Sequence, residues 1–160
     1  KRLAAANRPV ALRLRLSEQQ LEFLDGATGD ALGLGPVRAR SETGFALYYY
    51  LCHCRKRDRQ WVELFDPEQG PARLKEAATL IEKVAPYSAV LERFERYAKD
   101  LTKIESGSLS ALRTNWNRWL REQAERCGIP SAAPLCIQSR RIEGRTRYGI
   151  PLEPERIELL

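Results

Sequence analysis

Residues 106–152 read SGSLSALRTNWNRWLREQAERCGIPSAAPLCIQSRRIEGRTRYGIPL, and this stretch decides the fold. Leu109, Leu112, Trp116, Trp119, Leu120 and Ala124 recur at helical spacing. Ser106-Gly107-Ser108 supplies turn and N-cap residues, and Gly128 and Pro130 supply the stop. The spacing predicts a helix over 109–126 with its tryptophans in the core. The other side of that helix carries Ser110, Arg113, Thr114, Asn117, Arg118 and Arg121, side chains that hydrogen-bond base edges or phosphates. After Pro134, LCIQSRRI and RTRYGIPL are two β-prone runs meeting at Glu143-Gly144. They predict a hairpin within 135–152, with Arg140, Arg141, Arg145 and Arg147 crowded near its tip.

Charge follows the same division. The 160 residues carry 27 Lys and Arg against 21 Asp and Glu, a net +6. Residues 113–148 hold 8 basic and 3 acidic side chains, and all 8 cations are arginine. Residues 1–60 are basic as well, and residues 61–112 are mildly acidic. Arginine binds phosphate and guanine with a forked geometry that lysine lacks. A local surplus of this kind invites a polyanion. At 43% hydrophobic and 30% charged, the chain has enough apolar residues for a core and does not read as disordered.

Upstream, Leu12, Leu14 and Leu16 alternate with Arg13 and Arg15, the pattern of a half-buried strand. Ser17-Glu18-Gln19-Gln20 matches a capping box and predicts a helix through Leu21, Phe23 and Leu24. The glycine-rich stretch 25–40 reads as a loop. A helix is expected from 41 to 59, with Phe45, Leu47, Tyr48 and Leu51 in the core. Trp61 to Phe65 reads as a short strand. Gly70-Pro71 opens a helix through Leu74, Ala77, Ala78, Ile81 and Val84. A further helix is expected over 88–104. The expected fold class is α+β, mainly α with a small β component. Residues 1–87 and 88–160 are expected to pack on one core.

A long amphipathic helix followed by a basic hairpin ending Arg147-Tyr148-Gly149-Ile150-Pro151-Leu152 resembles the C-terminal part of a winged helix-turn-helix domain. The nearest likeness is to OmpR-type effector domains, through the stretch Glu143 to Ile150. Winged-helix replication initiators of plasmids are similar as well. The resemblance covers roughly residues 88–152. It implies that 88–104 is the supporting helix and 109–126 the recognition helix in the major groove. It implies sequence-specific binding of double-stranded DNA in transcriptional or replication control, as a homodimer or within a larger protein assembly. Arg113, Asn117, Thr114 and Arg121 would read bases, and the arginines of wing 135–152 would contact phosphate.

Two other readings compete. Residues 10–54 read alternatively as a ribbon-helix-helix unit in which Arg13 and Arg15 enter the major groove. A winged fold that binds only protein would use Tyr48-Tyr49-Tyr50 and Trp61 as an aromatic interface. Catalysis is not expected: there is one histidine, His53, without a carboxylate at useful spacing, and no phosphate-loop, nucleophile-elbow or zinc-protease motif. No cofactor and no metal are expected. Cys52 and Cys54 lie two residues apart in a predicted helix, where their side chains diverge, and Cys127 and Cys136 complete no ligand spacing. No run approaches a membrane span, the opening KRLAAANRPV lacks a signal peptide's apolar region, and the chain starts at Lys1 without Met. The expectation is a cytoplasmic protein, or a piece of one.

Overall fold

A computed structural model describes residues 9–33, 35–58, 61–64, 66, 68–85, 89–99 and 108–160. Its elements are β1 (Val10–Arg15), β2 (Gln20–Asp25), β3 (Val37–Arg38), α1 (Glu42–Asp58), α2 (Gly70–Glu82), α3 (Val90–Lys99), α4 (Ser108–Arg126), β4 (Gln138–Ile142), β5 (Arg145–Gly149) and β6 (Ile157–Leu159). The architecture is mixed α+β: four helices among the described residues, a four-stranded sheet in the order β3-β2-β1-β6, and the separate β4-β5 hairpin.

β1 forms where period-2 alternation predicts it, with Leu12 and Leu14 buried. The predicted helix after Ser17 is instead β2. It pairs antiparallel with β1, Leu12 opposite Phe23 and Leu14 opposite Leu21. Ser17 to Gln19 make the turn, and Gln19 takes a positive φ of 52°. Leu21 to Asp25 are all buried, so β2 lacks the alternation that marks a one-sided strand. The ribbon-helix-helix unit is thereby excluded, because the first of its two helices is a strand. Its expected reader Arg13 lies between two carboxylates, 2.9 Å from Glu22 on β2 and 2.8 Å from Glu158 on β6. β6 pairs parallel with β1, so one sheet joins residues 10–15 to residues 157–159.

α1 is the central helix. Residues 43–52 along it are buried on every side, as a helix surrounded by other elements must be. Tyr48, Tyr49, Tyr50 and the nearby Trp61 are all buried. The expected aromatic interface is therefore internal. α2 buries Leu74, Ala77, Ala78 and Ile81. Val84 lies beyond its last turn and is exposed. α3 buries Val90 and Phe94, packs on α2 and also touches α1, while α4 packs on α1. The 100–107 part of the expected 88–104 helix and its turn lies outside the described residues, as does Phe65.

The polar ends inside this core fix a pH response. Burial pushes the Cys52 and Cys54 thiols and the Tyr48, Tyr49 and Tyr50 phenols above their ordinary values, 9.0 for the thiol and 10.0 for the phenol. A group whose pKa is raised by folding contributes fully below its unfolded pKa, and the contribution fades as pH rises above it. The urea midpoint should therefore hold from about pH 6 to 8 and fall steadily above about pH 9, where unfolded thiols and then phenols ionise. A midpoint unchanged at about pH 10.5 would contradict this burial.

Candidate nucleic-acid interface

α4 forms as its spacing predicts, with Leu109, Trp116, Trp119, Leu120 and Ala124 buried. Its exposed stripe is turned relative to the expected polar face. Thr114, Asn115, Arg118, Arg121, Glu122 and Glu125 face solvent, Ser110 and Arg113 are half-buried, and Asn117 is buried. Asn117 was expected to read bases. Instead its Nδ2 donates to the Ile137 carbonyl and its Oδ1 accepts from the Ile137 N–H, both at 2.9 Å. This side chain satisfies both backbone groups of the residue leading into β4. Buried polar groups require such partners, and the amide is buried against the Ile137 backbone and not presented to a base edge.

The hairpin turns where expected. Glu143 and Gly144 have consecutive positive φ values of 53° and 78°, the signature of a type I′ turn that matches strand twist. Arg141 Nη2 donates to the Gly144 carbonyl at 2.9 Å. Residues directly opposite in a ribbon share a face. Ser139 lies opposite Tyr148 and Arg141 opposite Thr146, which makes one face; Arg140 lies opposite Arg147 and Ile142 opposite Arg145, which makes the other.

The two faces have different neighbours. On the first, the Arg113 guanidinium from α4 sits 5.1 Å from the centre of the Tyr148 ring. This cation–π contact, with the Asn117 clamp, sets α4 against the hairpin. Burial pushes the Tyr148 phenol up, and Arg113 opposes the shift. The segment after α1 runs along the edge of β5, where Val62 exchanges backbone hydrogen bonds with Tyr148, and its side chains reach the second face. Arg140 stacks 4.1 Å above the Trp61 ring. A Cβ on Gly149 would lie 2.8 Å from that ring, so glycine is what permits the approach. Glu63 stands between Arg145 and Arg147, 3.5 Å from each. The Arg147 Nε is buried and not aligned for a hydrogen bond.

Three of the four hairpin arginines thus have an internal partner of aromatic or acidic kind, and among the described residues Arg141 bonds to the turn alone. Glu63 is the residue sequence reasoning missed. The strand expected over 61–65 is, among its described residues, a single bridge from Val62 to Tyr148, and nothing local points from Glu63 to a partner 82 residues away. On α4, Arg113, Arg118 and Arg121 have no carboxylate partner among the described residues. Arg121 reaches the Cys136 thiol, which burial pushes up and the cation partly restores.

Among the described residues, no three His, Cys, Asp or Glu side chains gather to hold a metal ion, and no helix is long and apolar enough to cross a membrane. No protein-family model, curated protein or solved structure matches the chain.

Proposed function

We propose that the chain binds duplex DNA through α4 and the β4-β5 hairpin, in the manner of a winged helix-turn-helix. The observation that carries the reading is the Arg113–Tyr148 contact, which places an arginine-bearing helix beside the hairpin face that carries Arg141. Thr114, Arg118 and Arg121 stand on the exposed side of that helix, available to phosphates and base edges. α3 packs on α2 and α1 and α4 on α1, so the reading rests on α4 and the hairpin rather than on a helix pair.

The pairing pattern sets the size of the effect. Glu63 already compensates Arg145 and Arg147. Arg113 and Arg140 each lie over an aromatic ring, so Arg118, Arg121 and Arg141 remain as about three phosphate contacts. Three contacts predict a loss of about fortyfold in affinity between about 50 and 200 mM salt. Anisotropy of a labelled duplex measures this directly. Replacing both Arg118 and Arg121 with alanine should flatten the salt slope by about two while leaving the fold intact. No binding at low salt and micromolar protein would overturn the proposal.

A further inference from the structure

α4 has a second flank, turned toward the loop before α1. A cleft of about 460 Å³ lies there, between Arg40 on one side and Asn115, Arg118 and Glu122 on the other. Leu112, Trp116 and Trp119 form its apolar wall. Its size falls within the range of small-molecule sites, about 300–1,000 Å³. None of this wall belongs to the hairpin.

Three features give the cleft a chemical preference. Arg40 and Arg118 come from different elements and have no ion-pair or hydrogen-bond partner among the described residues. Arg13, Arg145 and Arg147, by contrast, are held by carboxylates, Arg13 by Glu22 and Glu158 and the other two by Glu63. Two unpaired guanidiniums facing one space suit a dianion with several oxygens, and phosphate fits better than a carboxylate. The indoles and Leu112 suit a flat, weakly polar body. Asn115 and Glu122 add donor and acceptor atoms of the kind that read the edge of a base.

We propose that this cleft binds a mononucleotide-type ligand, its phosphate between Arg40 and Arg118 and its base against Leu112 and the two indoles. The cleft shares Arg118 with the proposed duplex surface, and Arg40 belongs to the cleft alone. The test titrates AMP, GMP, CMP and UMP, with inorganic phosphate and benzoate as controls, into the full chain. Calorimetry gives the affinity, and the indole N–H signals in NMR locate the site. At least one mononucleotide should bind one to one with a Kd below about 1 mM. It should shift the Trp116 and Trp119 signals and leave Trp61, on the hairpin side, in place. Arg40→Ala and Arg118→Ala should each weaken it by about tenfold or more at unchanged melting temperature, since both side chains are exposed and unpaired. Arg147→Ala should bind as the parent does. The proposal fails if no mononucleotide binds, if phosphate or benzoate alone binds as tightly, or if the two arginine variants bind normally.

Discussion

Replacing Trp116 with alanine should lower the unfolding free energy by about 4 kcal/mol, the largest single effect expected outside a backbone break. Trp116 is 2% exposed. Its ring centre lies 4.9 Å from Trp119, 5.2 Å from Tyr48 and 6.4 Å from Phe45. It is the knob that seats α4 on α1. The socket is made by Gly44, where a Cβ would come within 2.7 Å of the indole. Alanine at 116 leaves a cavity between two helices that cannot easily close. Because total stability is about 5–15 kcal/mol, the loss shows as a large fall in the urea midpoint. Trp116→Phe keeps most of the ring contacts and deletes the unpartnered N–H, so it should cost less than about 1.5 kcal/mol. A small alanine effect, below about 1 kcal/mol, would show that the ring does not seat the helix.

The second large effect belongs to Asn117. Asn117→Ala removes both hydrogen bonds to Ile137 and leaves a buried N–H and a buried carbonyl unpaired. The expected cost is about 3 kcal/mol, seen as a fall of about 6–12 °C in Tm for a chain of this length. The hairpin should loosen with it, since Ile137 leads directly into β4. Calorimetry distinguishes this role from base reading. A base-reading asparagine would lose cognate DNA affinity with Tm unchanged, whereas this one should lose Tm in the absence of any DNA.

Asn117 also shows where sequence reasoning stops. Polarity and helical spacing placed it among exposed residues, and its partner lies 20 positions ahead in a turn with no periodic pattern. The exposed stripe consequently sits further toward Asn115 and Glu122 than the polar residues suggested. At Ser17 to Gln20 the failure has another cause. The capping-box pattern is local and correct as chemistry, but a strand buried on both faces looks like a short apolar helix. β1 on one side and β3 on the other decided the outcome. Features whose cause is local were legible: the alternation of β1, the Pro71 start of α2, the apolar stripe of α4, and the turn at Glu143-Gly144. Features that join distant segments were not. Glu63 against Arg145 and Arg147 is one, and the pairing of β1 with β6 is another.

That last pairing bears on the order of synthesis. Leu12 and Leu14 need Ile157 and Leu159 as their parallel neighbours, more than 140 residues later. On the ribosome, at about 5–20 residues per second, β1 waits about 7–30 s after it is made before those residues exist. The β1-β2 hairpin can form early, but its outer edge then stays open as a template for foreign strands. Closing the sheet therefore waits for residues 157–159 to be made, and a nascent chain stalled anywhere before residue 157 carries that open edge.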